Sequence, residues 1–177
     1  GAVTTGVQNT LIGGLAGDAL TTGGGSVALG YEALSGEDTG WYNVAIGAGA
    51  LKVQNHHANN YNVAVGYNAG TAVTTGVQNT IVGALAGDAL TNADDNVAIG
   101  QVALGSDTLG SKSVAIGRAA LNTQNFTTAT DSHNIAIGYF AGVSVTTGVQ
   151  NTLIGSLAGD ALTDADFNVA VGMQALT

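Results

Sequence analysis

"NVAIGAGAL", residues 43–51, is the clearest indication of the architecture, because the chain contains ten copies of this stretch with small variations. Each copy starts with Asn or Ser, has Gly at the fourth position after the start and has Ala at the seventh. The spacing between successive starts is 17, except for one interval of 19 and one of 21. We number the copies as rungs 1 to 10 and count positions from the starting residue, which is position 0. The ten starting residues form the ladder column: Asn9, Ser26, Asn43, Asn62, Asn79, Asn96, Ser113, Asn134, Asn151 and Asn168.

The period predicts a parallel β-solenoid. Each unit holds a β-forming run of four to five residues, such as "NVAIG", which Gly and polar residues close. This unit, as from Asn79 to Asn96, is too short for the common helical repeats. We therefore expect one all-β domain over residues 1–177, with about ten rungs that rise about 4.8 Å each and build a rod of roughly 48 Å.

A longer repeat contains four rungs. "TTGVQNT" recurs at Thr4, Thr74 and Thr146, which divides the chain into blocks near 4–73, 74–145 and 146–177. Rungs 1, 5 and 9 carry Leu11, Ile81 and Leu153 where most rungs have Ala in the middle of the apolar triplet. Thr10, Thr80 and Thr152 precede them, so these rungs exchange bulk between the two faces of the strand, and we expect the summed volume to stay nearly constant.

Both faces of each strand are apolar. By strand alternation, Val44 and Ile46 point to one face and Ala45 points to the other. Strands that read as continuous hydrophobic runs are buried on both faces. Ala at the middle position suits a tight coil interior, but the sequence leaves the opposite assignment open. In either case, contact with further copies of the chain is the simplest cover for the second face.

The composition argues against several classes of function. The net charge is −9, and the basic residues Lys52, Lys112 and Arg118 are scattered, whereas nucleic-acid binding needs clustered Lys and Arg. No apolar run reaches the roughly 18 residues that would predict membrane insertion, and there is no Cys. Glu32 and Glu37 share one turn region without an evident partner base, and nothing else predicts a catalytic site or a cofactor. We expect no enzyme activity.

The ladder column is the most regular polar feature. Asn side chains stacked at strand spacing can bond to the rungs above and below them or to the local backbone, so we expect a structural ladder. The two lengthened rungs contain loops at residues 52–62 and 122–134. In the first loop, His56 and His57 are candidate metal ligands if three chains meet on a three-fold axis, with at most one per chain facing it. An exposed loop without metal is the alternative.

Aromatic side chains cluster just before the ladder column and just after the Gly. Aromatic rings beside Asn and Asp are typical of sugar-binding surfaces, whereas packing between chains is the alternative. The candidate glycan-contact residues are Trp41, Tyr42, Tyr61, Tyr31, Tyr67 and Tyr139.

The repeats also resemble those of known families. "NVAIG", "SVALG", "SVAIG" and "NIAIG" resemble the head repeats of YadA-like trimeric autotransporter adhesins, and "NTLIG" with "LAGDALT" resembles repeats of phage tail-fibre proteins. The resemblance covers all ten rungs. It implies a left-handed β-roll, a homotrimer with the apolar faces in its centre, and an extracellular place on a virion tail fibre or a bacterial surface.

The resulting functional hypothesis is a trimeric rod that spaces a phage or cell surface from its host and attaches to a host receptor or surface glycan. An ice-binding or glycan-binding solenoid is the alternative, and a glycan depolymerase carried on a fibre is a further one. Thr repeats such as Thr4 and Thr74 suggest ice binding, but they recur every four rungs and not in every rung.

Overall fold

The computed structural model describes residues 3–177, and this part of the chain is all-β. It winds into a parallel β-solenoid of ten turns, as the sequence predicts. Ten strands form one parallel sheet in chain order, and β7 and β9 form a separate parallel pair. The strands are β1 (Thr10–Ile12), β2 (Val27–Leu29), β3 (Val44–Ile46), β4 (Val63–Val65), β5 (Thr80–Val82), β6 (Val97–Ile99), β7 (Gly110–Ser111), β8 (Val114–Ile116), β9 (Thr130–Asp131), β10 (Ile135–Ile137), β11 (Thr152–Ile154) and β12 (Val169–Val171).

The register is uniform across the large sheet. Each residue of a triplet pairs with the same position of the next rung, as Ala45 does with Ala64. The longest insertion leaves this register intact, since Ala115 still pairs with Ala136 across the longer of the two lengthened intervals. The extra residues are accommodated in loops, as is usual for insertions in solenoids.

The strands of the large sheet are three residues long, which is shorter than the predicted four to five. The Gly at position 4 ends each strand because its backbone is no longer extended. At Gly83 φ is +136°, and a Cβ atom would lie 2.6 Å from the carbonyl oxygen of Gly100 in the next rung. Such a conformation is practically restricted to Gly, which explains why this position never varies.

The middle residue of each triplet lies inside the coil, which decides the question that the sequence left open. Ala45, Ala64 and Ala98 are completely buried, whereas Val44 and Ile46 on the opposite face are partly exposed. The small side chain at this position lets the opposite walls of the coil approach closely. The apolar residues at positions 1 and 3 therefore point outward.

Bulk in the core is exchanged between positions. Ile81 replaces Ala in the middle of rung 5, and Cβ atoms built on Gly70 and Gly87 would lie 2.9 and 3.4 Å from its Cδ1 atom. Rungs with Ala in the middle can instead carry a buried Leu at position 8, as at Leu51. The glycines thus leave the space that the larger side chain fills. This exchange differs from the predicted one between the two faces of the strand, because Thr80 lies on the outer face and does not contribute volume to the core.

Candidate interaction surface

An apolar face runs along the whole large sheet. We call the residues at positions 1 and 3 of all rungs the stripe; they are Val, Ile and Leu except for Thr10, Thr80 and Thr152. Exposure of the stripe residues is greatest towards the ends, with 57% for Ile12 and 66% for Val171. An apolar surface this long and continuous is unusual on a monomeric soluble protein and is typical of interaction sites.

The ladder column holds the rungs together from inside. From Ser26 to Asn151 its members are completely buried. In its regular form, Oδ1 accepts the backbone N–H of the next ladder residue, as Asn79 does from Asn96 at 3.0 Å. Nδ2 donates to the carbonyl oxygen at position 14 of its own rung, as Asn79 does to Ala93 at 2.8 Å. The column therefore supplies partners for backbone groups that would otherwise be buried without one.

Two glutamines continue the ladder where the insertions would interrupt it. In rung 3, Gln54 Nε2 donates to Asn43 Oδ1 at 3.2 Å and Gln54 Oε1 accepts from Asn62 Nδ2 at 3.2 Å. In rung 7, Gln124 bridges Ser113 and Asn134 in the same way, at 2.9 and 2.8 Å. Both glutamines occupy position 11, where rungs 4 and 5 have the buried Val73 and Leu90.

Each bridging glutamine is preceded in the rung before it by a completely buried carboxylate at position 11. Glu37 accepts from the Gly40 backbone N–H at 2.7 Å and from Asn60 Nδ2 at 2.8 Å, and Asp107 accepts from the N–H groups of Gly110 and Phe126 at 3.0 and 3.1 Å. Burial raises the pKa of the Glu37 carboxyl, and the groups that donate to it oppose that effect. Asn60 and Phe126 lie in the two insertions, so these acids fasten the loops to the coil.

The two glutamates of this turn region have different surroundings. The side chain of Glu37 belongs to the buried network just described. Glu32 lies on the surface with its Oε2 atom 2.6 Å from Lys52 Nζ. The hydrogen bond from Lys52 lowers the pKa of Glu32. Glu37 occupies position 11, which faces the core, whereas Glu32 lies earlier in the same rung. The repeat pattern alone does not show which of these positions is buried.

The two candidate metal ligands make contacts within the first insertion. His56 Nδ1 lies 2.9 Å from Asn60 Oδ1, and His57 Nδ1 lies 2.6 Å from Thr39 Oγ1 and 3.2 Å from Asp38 Oδ1. Neither histidine belongs to the stripe. Within residues 3–177, no group of three His, Cys, Asp or Glu side chains is placed to hold a metal ion.

The candidate glycan-contact residues fall into two groups. Before the ladder column, the rings of Tyr42 and Tyr61 stack with centroids 5.3 Å apart, and Trp41 lies 5.8 Å from Tyr42. Asn59 borders this cluster and donates to the Tyr61 hydroxyl at 3.2 Å. Tyr31, Tyr67 and Tyr139 lie beyond the opposite ends of the strands, just after the Gly, and all three are more than half exposed.

A second column of hydrogen-bonding side chains, which the sequence did not lead us to predict, consists mainly of threonines. At position 12, threonine hydroxyls donate to the carbonyl oxygen of the next rung, as Thr21 does to Asp38 at 3.0 Å and Thr91 does to Thr108 at 3.0 Å. The column also includes Thr4, which lies one period before Thr21 and ahead of rung 1. Seven of its ten residues are Thr, and the last of them is Thr163. Aligning the rungs beyond position 8 would have revealed it. Most of these hydroxyls thus donate within the protein.

The described surface of residues 3–177 shows no pocket, and none of these residues forms a helix long and apolar enough to cross a membrane. Comparison of the chain with protein-family models, with curated proteins and with solved structures finds no match.

Proposed function

We propose that the protein is a segment of an extracellular fibre or adhesin, in which three chains pack their stripes around one axis and form a rod. The observation that carries this proposal is the stripe itself: an apolar face that continues through all rungs and is at least partly exposed in the single chain. The resemblance of the repeats to adhesin heads and phage tail fibres supports the extracellular setting. The rod would space a virion or a cell from its host.

The dimensions of the sheet suit three chains. A strand with its bordering residues is roughly 13 to 20 Å wide at about 3.3 Å per residue. Three such sheets arranged as a triangle leave about 4 to 6 Å between each sheet and the common axis, close to half the roughly 10 Å that separates packed sheets. Val and Ile side chains fill that distance, whereas aromatic rings would not fit, and the stripe contains none.

Light scattering coupled to size-exclusion chromatography tests the assembly. We expect the wild-type chain at micromolar concentration to have about three times the 17.3 kDa mass of one protomer. Val97→Asp combined with Ile99→Asp places two charges in the stripe, and these should dissociate the assembly. Thr127→Asp combined with Ala129→Asp adds the same charges at exposed positions of the second insertion and should leave the mass unchanged. A monomeric wild type, or a stripe variant that stays trimeric, contradicts the proposal.

Attachment to a host glycan is the second candidate function, and the aromatic cluster beside the first insertion favours it. Trp41 offers a ring face, and Asn59, which pairs with it across neighbouring rungs, offers a side-chain amide. A sugar could stack on the ring while its hydroxyls bond to the amide. A glycan-array screen should give hits that Trp41→Ala abolishes and that Thr128→Ala, at an exposed position of the second insertion, preserves. Equal binding by both variants excludes this site.

A further inference from the structure

Two columns of exposed residues border the stripe. We call the column at position −1, just before the ladder column, the leading flank, and the column at position 5, just after the Gly, the trailing flank. Tyr42 and Tyr61 in the leading flank are 43% and 52% exposed, and Tyr31 and Tyr67 in the trailing flank are 58% and 60% exposed. These rings stand beside an apolar face without belonging to it.

We infer that the leading flank of each chain packs against the trailing flank of the next chain, rung by rung. This inference rests on the proposed trimer. When three sheets form a triangle, each corner joins the beginning of one strand to the end of a strand in the neighbouring chain. Closed rotational symmetry also keeps equal rungs at equal heights, so rung 3 meets rung 3.

The sizes of the facing residues fit this arrangement. In the trailing flank, Tyr31 and Tyr67 are two rungs apart, roughly 10 Å, and Ala48 leaves a gap between them. The residue that the leading flank of the neighbour presents at this height is Tyr42. Its ring can enter the gap, where it would pack between the two tyrosines at ring-to-ring distances that aromatic pairs favour.

Rungs 4 and 10 fit as well. Tyr61 would face Tyr67, and Phe167 would face Met173. Both pairs join large side chains, and Tyr61 and Tyr67 are 52% and 60% exposed in the single chain. Contact between the flanks would bury them together, which is favourable in proportion to the apolar area removed from water.

Rung 7 tests the arrangement most severely, because Lys112 would face Arg118. Each cation already has a partner in its own chain. Lys112 Nζ donates to Asp131 Oδ2 at 2.5 Å, and Arg118 Nε donates to Gln101 Oε1 at 3.2 Å while its guanidinium lies 5.3 Å from the centroid of the Phe140 ring. The Asp131 carboxylate offsets the charge of Lys112, and the partners of Arg118 lie in the rungs on either side of it, so contact at this rung does not leave two unpaired cations facing each other.

Disulfide trapping tests the pairing, since the natural chain has no Cys. The double variant Tyr42→Cys with Ala48→Cys places thiols on both flanks of rung 3. A bond within one chain is excluded, because extended β3 keeps the two sites roughly 13 Å apart, whereas a disulfide needs Cα atoms about 4.4 to 6.8 Å apart. Under mild oxidation we expect most chains to run as a covalent trimer on a non-reducing gel, and reduction should return them to single chains.

Two controls make the result specific, and a second pair of sites repeats the test. Each single-Cys variant should give no covalent trimer. Tyr42→Cys with Ser156→Cys carries two thiols at heights roughly 29 Å apart, and it too should give none. Tyr61→Cys with Tyr67→Cys repeats the test in rung 4, in case rung 3 does not tolerate the change. Light scattering on every variant reports whether the assembly forms.

The outcomes separate the inference from the proposed function. A trimer by light scattering that neither rung cross-links overturns the flank pairing and leaves the rod intact. Cross-linking that stops at a covalent dimer overturns the three-fold arrangement, and monomeric wild type overturns both. A covalent trimer in the matched variants alone supports the inference, and it assigns Tyr42 and Tyr61 to the contact between chains, leaving Trp41 and Asn59 for a receptor.

Discussion

Replacing Asn79 by Ala should expose how much the ladder column contributes to stability. Asn79 is completely buried near the middle of the chain. Its Oδ1 accepts from the Asn96 backbone N–H at 3.0 Å, and its Nδ2 donates to the Ala93 carbonyl oxygen at 2.8 Å. The variant removes both partners and leaves the two backbone groups inside the coil.

The expected loss follows from these two groups. A buried polar group left without a hydrogen bond costs about 1–3 kcal/mol, so Asn79→Ala, which leaves two such groups, should lower the free energy of unfolding by about 2–6 kcal/mol. Asn79→Ser is the matched control, because Ser26 shows that a hydroxyl at this column can accept from the next rung, 3.1 Å from the Asn43 N–H. The Ser variant should lose about half as much as the Ala variant, since it leaves one group unpaired instead of two.

Urea denaturation followed by circular dichroism measures both losses. The protomer concentration must be the same for all variants, because the stability of an oligomer depends on it. The reasoning fails if Asn79→Ala unfolds within about 1 kcal/mol of the wild type, or if the Ser variant is as unstable as the Ala variant. The first result would mean that water or a shifted backbone satisfies the unpaired groups, and the second would mean that the Ser hydroxyl does not accept from the Asn96 N–H.

Two further predictions concern single positions. Gly83→Ala forces a Cβ against the Gly100 carbonyl at a φ of +136° and should lower the free energy of unfolding by about 2–5 kcal/mol. In the control Gly14→Ala, the Cβ would meet only the Tyr31 ring at 3.5 Å or more, and the loss should be less than about 0.5 kcal/mol. Equal midpoints of urea unfolding for the two variants would refute this prediction. Because burial raises the pKa of Glu37 above its ordinary value of 4.5, the folded chain holds that proton more firmly than the unfolded chain does. Lowering the pH towards 4.5 should therefore shift the difference in unfolding free energy between wild type and Glu37→Gln in favour of the wild type, and a difference that is constant or moves the other way would contradict the role of burial.

Much of the architecture could be read from the sequence because a solenoid is periodic. The interval from Asn79 to Asn96 fixes both the length of a turn and the register of its strand, since any slip would move Ala98 out of the coil and Val97 into it. Even the insertions could be placed, because they lengthen the intervals that follow Asn43 and Ser113.

The buried polar network could not be read in the same way. Gln54 and Glu37 look like surface residues because polar side chains are mostly exposed. Their burial depends on Asn43, Asn60 and Asn62, which the coil brings together from neighbouring rungs. The sequence does contain an indication of this network, since position 11 is aliphatic in some rungs, as at Val73, and polar in others, as at Gln54. It can be interpreted only once this position is known to face the core.

The period of the repeats alone predicts a β-solenoid of ten rungs with one apolar triplet in each. A repeated strand pattern at a fixed interval can bury its apolar residues only by stacking on its own copies. The orientation of the triplet became clear from the folded chain, in which Ala45 and its equivalents face inward, Val44 and Ile46 form an outer stripe, and Glu37 is enclosed. Those outcomes depend on the width of the closed coil and on contacts between distant rungs, which alternation along a single strand does not contain.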